Sequence, residues 1–257
     1  MKNYNYKTLA KYYDLIELEE YTPKYQNELL SKFFKEKGVK TILDITCGTG
    51  AQTIYLKQQG FEITGNDIST YMLDIAKEKA KQQNLTIPFL NLDMRKDTIG
   101  KYDAVISQCN SIGHLNKKDF NKALANIYNN LNNKGYFIFD IYNFNKYCKG
   151  TMTKKFIDTC IKKEEFKVVR IAKNKFNCKK QLLKLRQHIY IQEKRELHVF
   201  KNNWNMQIYN ASQLNTLLQK NGFKIVNLYN RHGGEFDDKE SWFILTIAQK
   251  NPHKNEG

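Results

Sequence analysis

The ten residues Thr41-Ile42-Leu43-Asp44-Ile45-Thr46-Cys47-Gly48-Thr49-Gly50 constrain this chain more than any other stretch. Thr41 to Ile45 is β-branched and aliphatic, the pattern of a strand buried on both faces. Gly48 and Gly50 then allow a sharp turn and let a ligand approach the backbone without a Cβ in the way. A helix starting near Ala51 would aim its free N–H groups at whatever lies above that turn. A strand, a glycine turn and a helix make a cofactor site, but the bare pattern fits several cofactors.

The alternation continues downstream. Phe61 to Asn66, Ile87 to Leu92, Tyr102 to Ser107 and Gly135 to Tyr142 read as further strands. Helices are expected over Lys24 to Glu36, with Pro23 before it and Gly38 ending it, and over Ala51 to Gln59. Two more are expected over Thr70 to Gln83, with Ser69 as N-cap, and over Lys117 to Asn130. Five strands alternating with helices imply an α/β fold with a parallel sheet covered on both faces. After Asn145 the period changes to half-buried strands at Phe156 to Ile161, Phe166 to Ala172, Leu182 to Gln192 and Arg195 to Phe200, an antiparallel insertion. A helix over Ala211 to Asn221 and strands at Phe223 to Tyr229 and Trp242 to Ala248 close the chain. The core is thus assigned to residues 1–145 and 204–250, the insertion to 146–203, and a frayed tail to 251–257.

Composition limits the partners. The 257 residues carry a formal charge of +16, yet 37 of the 42 basic residues are lysine. With the many Asn, Ile and Tyr, this resembles the bias of an AT-rich genome more than a phosphate-reading surface, which leans on Arg. Placement is a separate matter, because residues 146–203 alone carry +12. No run of about 18 apolar residues exists, so no membrane span is expected. The tyrosine-rich, polar N-terminus lacks the apolar core of a secretory signal. Cys47, Cys109, Cys148, Cys160 and Cys178 contain no CxxC pair, so neither a metal nor a disulfide framework is suggested, and a cytoplasmic setting is expected.

In an open parallel sheet, ligands bind beyond the C-terminal strand ends. Those ends supply Asp44 with the Gly48–Gly50 turn, Asp67, Asp93, and Ser107 to Asn110. Asp67 stands where a carboxylate can accept both hydroxyls of a ribose. Thr46 occupies the first glycine position of a dinucleotide fingerprint, no third glycine is in register, and a P-loop lysine is absent. An adenosine site without a pyrophosphate remains. Taken singly, Asp44 and Asp67 are strand-end turn carboxylates and Asp93 a helix cap.

Leu43-Asp44-Ile45-Thr46-Cys47-Gly48-Thr49-Gly50, Gly65-Asn66-Asp67-Ile68-Ser69, Leu92-Asp93-Met94 and Tyr102-Asp103-Ala104-Val105-Ile106 resemble the successive motifs of class I S-adenosylmethionine-dependent methyltransferases. The resemblance covers roughly residues 10–145 and implies a Rossmann-like seven-stranded sheet of order 3-2-1-4-5-7-6, its last strand antiparallel. It also implies S-adenosyl-L-methionine as cofactor, with S-adenosyl-L-homocysteine as product. By the same resemblance Asp44 and the Gly48–Gly50 turn flank the methionine part, Asp67 holds the ribose, and Thr46 and Ile68 belong to the cofactor site. Asp93 and Met94 border the adenine, and Met72 and Ser107 complete the cofactor site. Thr46 departs from the usual glycine.

The N-terminal Ala10-Lys11-Tyr12-Tyr13-Asp14-Leu15-Ile16 is similar to the segment that small-molecule methyltransferases fold over the cofactor. Tyr12 is assigned to the cofactor and Tyr13 to catalysis, against an amphipathic helix that packs its tyrosines on the sheet. Ser107-Gln108-Cys109-Asn110-Ser111-Ile112-Gly113-His114-Leu115 resembles the corresponding stretch of sugar-amine N-methyltransferases and their relatives. His114 there could take or orient the acceptor's proton, or simply pack a helix start. With only Pro23, Pro88 and Pro252, the chain lacks the proline motif of base-amino methyltransferases. The expected acceptor is a small molecule, at nitrogen, carrying an anionic group met by a few lysines of the insertion. In relatives that insertion is a substrate-covering lid or a dimer surface, so a homodimer is also among the expectations. The alternatives are an RNA methyltransferase laying the insertion on phosphates, and a cofactor-binding protein without turnover.

Overall fold

The computed structural model describes residues 9–18, 24–149 and 155–251. The expectations for Pro23 and for the tail beyond Asn251 lie outside these residues. The core is a seven-stranded sheet ordered β10-β11-β5-β4-β1-β2-β3. Its parallel strands are β1 (Thr41–Asp44), β2 (Glu62–Asn66), β3 (Phe89–Leu90), β4 (Tyr102–Ser107) and β5 (Leu131–Tyr142). β10 (Phe223–Tyr229) and β11 (Phe243–Lys250) close the edge, with β11 antiparallel to both neighbours. This is the expected 3-2-1-4-5-7-6 order, with the final strand slotted between the fifth and sixth.

Helices α1 (Lys24–Glu36), α2 (Ala51–Gln58), α3 (Thr70–Gln82), α4 (Lys117–Asn130), α5 (Phe144–Lys149) and α6 (Ala211–Lys220) accompany the strands. They cover a sheet that is apolar on both faces. One face buries Leu43, Val105, Phe137 and Phe139 with Phe120 and Leu124 of α4, and the other buries Ile42, Ile63, Ala104 and Ile106 with Leu30 and Phe34 of α1. Consecutive residues of β1 therefore go to opposite cores, which is why the strand reads as a continuous apolar run. Local chemistry sets the helix ends. Gly38 at φ +66° follows α1, Ser69 accepts from the Met72 N–H at the start of α3, and Asn210 and Gln213 form a capping box on α6.

β3 is shorter than the expected Ile87 to Leu92, since Pro88 brings no N–H to the ladder and only Phe89 and Leu90 pair with β2. The insertion is a separate antiparallel sheet, β6 (Lys155–Lys162), β7 (Phe166–Asn177), β8 (Leu182–Glu193) and β9 (Glu196–Gln207) in that order. β7 and β9 run well past their sequence-based limits. Polar residues break the apolar alternation there, yet the backbone stays paired, with Leu182 opposite Gln207 and Asn177 opposite Leu182. On β7 and β8 the buried Val168, Arg170, Ala172, Gln187, Ile189 and Ile191 alternate with exposed Lys167, Lys173, Lys184, Arg186 and His188. The lysines decorate the outer face.

The N-terminal segment is not a regular helix. A 3-10 turn at Ala10–Tyr12 leads into a π-helical turn at Asp14–Leu18. Leu9, Tyr12 and Ile16 pack on Val168, Ile189 and Ile191 of the inner insertion face.

Close packing at the first crossover generates a test. A Cβ built on Gly65 would lie 2.7 Å from Phe89 Cδ1 and 3.2 Å from Cys47 Sγ. Gly65→Ala should cost about 1–3 kcal/mol by overpacking, read as a lower urea midpoint, and the added Phe89→Leu should recover part of it.

Candidate functional site

The C-terminal ends of β1, β2 and β4 meet at one edge, and the turns leaving them form a connected polar layer. Gly48 and Gly50 take φ +54° and +82°, and the Cys47 N–H donates to the Asn66 carbonyl at 2.8 Å. The two glycines serve different ends. A Cβ on Gly50 would meet the Ala76 Cβ at 3.0 Å, so Gly50 lets α3 pack against the turn, whereas a Cβ on Gly48 would meet nothing within 4 Å. Open space lies above Gly48. Its N–H donates to Asp67 Oδ2 at 3.0 Å, and the Ser69 N–H donates to Asp67 Oδ1 at 2.8 Å. These bonds leave Asp67 acceptor capacity toward the space above. Burial nonetheless raises its pKa above the ordinary aspartate value.

Asp44 lies beneath the turn, 2% exposed, where it accepts from Thr53 Oγ1 at 2.7 Å and from the Thr46 N–H. Burial raises its pKa to about 7. Asn66, to which the sequence reading gave no role, fastens the edge. Its side chain donates to the Ile45 and Leu92 carbonyls and accepts from the Leu92 N–H, joining the ends of β1, β2 and β3.

These turns open into a cavity of about 920 Å³ that reaches the insertion sheet. Of the residues singled out from sequence, Tyr13, Thr46, Asp67, Ile68, Asp93, Met94 and His114 line it together. Asp44, Gly48, Gly50, Met72 and Ser107 stand behind that wall. Met72 is buried at 2% exposure under Ser69, and the Ser107 hydroxyl is 3.0 Å from Thr46 Oγ1. Asp93 lines the cavity beside Met94. Its carboxylate is turned to the Arg95 guanidinium at 2.6 Å, which also reaches Asp119 and holds Asp93 below the usual carboxylate range.

Tyr12 does not line the cavity, which corrects its assignment to the cofactor. Its ring packs near His198 and Phe200, and its hydroxyl donates to Glu193 Oε2 at 2.6 Å. The residues around it complete a strap. Lys11 pairs with Glu193 at 2.9 Å, while Asp14 accepts from Thr49 Oγ1 at 2.5 Å and from Lys79 at 2.6 Å. Thr49 is in the glycine turn, so the strap joins that turn to the insertion. One π-turn later, Glu17 pairs with Arg170 of β7 at 2.5 Å, and Arg170 also pairs with Asp158 of β6 at 2.6 Å. All three line the cavity. None was legible beforehand, because their partners are about 140 or more residues from the strap.

The other cavity wall follows β4. Cys109 and Asn110 both adopt positive φ, +59° and +54°, a strained pair that its bonds hold in place. The Asn110 N–H donates to Asp140 Oδ1 at 2.9 Å, its Oδ1 accepts from the Tyr142 N–H, and its Nδ2 donates to Met206 Sδ. Gly113 is required here, since a Cβ would lie 2.7 Å from the Asn110 amide. His114 ends a 3-10 turn, Ser111–His114, with its ring centroid 4.4 Å from that of Trp204 on β9. Burial lowers its pKa to about 4, while the buried phenols of Tyr142 and Tyr147 are raised. This wall presents a neutral imidazole and neutral phenols at physiological pH. Arg231 lies over the Phe243 ring at 4.5 Å, and among the described residues no lysine lines the cavity. Among the described residues no group of His, Cys, Asp and Glu is arranged to hold a metal.

The buried Asp44 carboxyl fixes a pH dependence. Between pH 4 and 7 the folded chain keeps a proton on Asp44 that the unfolded chain has lost. The contribution of this residue to stability therefore falls as pH rises through that window, by on the order of 4 kcal/mol. Urea midpoints of wild type and Asp44→Asn from pH 4.5 to 8 check it. The variant should lack this decline, and equal slopes in both proteins would refute the assignment.

Comparison with known proteins agrees with this geometry. Residues 42–135 match the family model of the methyltransferase domain. The glycine/sarcosine N-methyltransferase of Halorhodospira halochloris is 34% identical over 138 residues, 52% of this chain and 51% of that protein. The chain spans between half and three fifths of the length of the first curated relatives it matches. An S-adenosylmethionine-dependent methyltransferase from Clostridium acetobutylicum superposes with TM-score 0.82 at 21% identity, covering 96% of this chain and 99% of that one. An amino pentose methyltransferase from Micromonospora echinaspora superposes with TM-score 0.71 at 14% identity over 88% and 90%. Residues 42–135 thus resemble a methyltransferase domain, and the chain shares the fold of these methyltransferases over nearly its whole length.

Proposed function

We propose that the chain transfers a methyl group from S-adenosyl-L-methionine to the nitrogen of a small-molecule amine that carries an anionic group. One observation carries the reading: Thr46 at the head of the glycine turn and Asp67 line the same cavity as His114, Trp204 and Tyr142, so the space beside the β1 and β2 ends is continuous with that beside His114. The cofactor fits what is present. The space above Gly48 would take its methionine part, with the Asp44-supported turn beneath, the free acceptor capacity of Asp67 would take the ribose hydroxyls, and Ile68 and Met94 offer apolar surface to the adenine. When bound, it supplies an electrophilic methyl on a sulfonium.

The chain's own residues align the acceptor and keep out water. Neutral His114 can donate or accept one hydrogen bond to orient the nitrogen, and Tyr13 borders the same space. An anionic group on the acceptor would meet Arg231, whereas none of the described lysines of the insertion lines the cavity. That placement favours a small molecule over RNA. The name of the glycine/sarcosine N-methyltransferase supports nitrogen as the acceptor atom.

Incubation with methyl-labelled S-adenosyl-L-methionine and a panel of amino acids, amino sugars and a total RNA fraction tests the reading. Label should enter small amines, and label confined to RNA, or no turnover beside intact cofactor binding, would overturn it. Asp67→Ala should weaken S-adenosyl-L-homocysteine binding about 10- to 100-fold by calorimetry, as expected for lost charge-assisted hydrogen bonds. With an accepted amine, kcat/KM should rise with deprotonation of the acceptor. It should show no inflection due to His114 between pH 5.5 and 7.5, because that imidazole is already neutral there, so His114→Gln should leave the shape of the profile in this window unchanged.

A further inference from the structure

Two of the five cysteines that are scattered in sequence meet in space. Cys148 lies on α5 and Cys178 in the turn between β7 and β8, with their Sγ atoms 3.3 Å apart and both side chains exposed. We propose that Cys148 and Cys178 are a reversible disulfide site that staples the helix beside the acceptor wall to the insertion hairpin.

Both partners are held in place by contacts that do not involve sulfur. The hairpin turn is anchored through Gln181, which accepts from Lys117 of α4 at 2.8 Å and donates to Gln213 of α6 at 2.7 Å. On α5, Phe144 packs edge-on against Phe176 of β7, and Tyr147 packs on Tyr142 and Trp242. A bond of about 2.05 Å requires the sulfurs to close by a little over 1 Å, within reach of side-chain rotation. The remaining cysteines do not compete. Cys47 and Cys109 have thiols pushed well above the ordinary value by burial, and Cys160 is on β6, opposite Val169.

The oxidant required is a small-molecule disulfide. One thiolate attacks it to give a mixed disulfide and releases one thiol. The second cysteine thiolate then displaces the other half, forming the Cys148–Cys178 bond. In total the two cysteines lose two electrons and two protons, and the oxidant is reduced to two thiols. The hydrogen bond with Cys178 raises the pKa of the Cys148 thiol, so the reaction should quicken with rising pH. Tyr147 lines the acceptor cavity and is the residue before Cys148, so the bond would fix that stretch of wall.

The test is independent of methyl transfer. The full chain is equilibrated across a ladder of oxidised to reduced glutathione, alkylated, and mapped without reduction. Wild type and Cys160→Ser should yield one peptide pair linked through Cys148 and Cys178, with the intact mass lower by two hydrogens. Cys148→Ser and Cys178→Ser should not. Amide exchange in residues 144–149 should slow in the oxidised protein and stay unchanged in Cys148→Ser. Separate glutathione adducts on the two cysteines without a linked peptide, or links only between two chains, would overturn the proposal.

Discussion

The structure depends on how the C-terminal edge of the parallel sheet satisfies its own polar groups. Where β1, β2 and β3 stop, backbone groups lose their ladder partners and must find others. Asn66 supplies three bonds to that edge, and Asp67 takes the Gly48 and Ser69 N–H groups. Asp44 does the same for the Thr46 N–H one layer deeper. Acids are therefore held at the strand ends by structural bonds before any ligand arrives. The burial that raises the Asp44 and Asp67 pKa values is the cost of building a recess there. A ligand with positive charge or hydroxyl donors would recover part of it.

That edge would be an open crevice without the strap. Residues 10–18 bond to the glycine turn through Asp14 and Thr49, to the insertion through Tyr12 and Glu193, and to the cavity wall through Glu17 and Arg170. Exposed pairs such as Lys11 with Glu193 contribute little to stability. Arg170 differs, with a side chain only 7% exposed between two carboxylates, so removing either partner would alter a largely buried charge balance. The apolar contact of Leu9, Tyr12 and Ile16 with the inner insertion face sets the position that these pairs refine.

The parts legible in sequence are those whose signal is local. Strand order, the glycine turn and Asp67 are written in a strand–turn–helix repeat, and the helix cap at Ser69 depends on a neighbour three residues away. Tyr12 was misassigned because a tyrosine near a cofactor and a tyrosine pinned to a lid look alike until Glu193 is placed beside it. Arg170, Asp158, Trp204 and the cysteine pair were invisible for the same reason. Their meaning lies in partners brought together by the register of four long strands. β9 itself was read short, since its last residues give up apolar alternation to face a cavity that sequence does not show.

The charge of the insertion illustrates the difference between counting and placing. Its +12 suggested lysines reaching toward an anionic acceptor. In an antiparallel sheet with one covered face, alternation sends every second residue outward, and the lysines take that side because their hydration is lost on the other. The cavity side keeps Arg170, already neutralised by Glu17 and Asp158, and with Arg231, Asp67 and Asp93 the lining holds, among the described residues, four acids against two arginines. Electrostatics inside the site thus oppose the field outside it. A basic exterior can raise the local concentration of anionic metabolites, while an acid-rich lining favours cations. Selection for charge then operates in two steps at two places, and only the first is visible in the net charge of the chain.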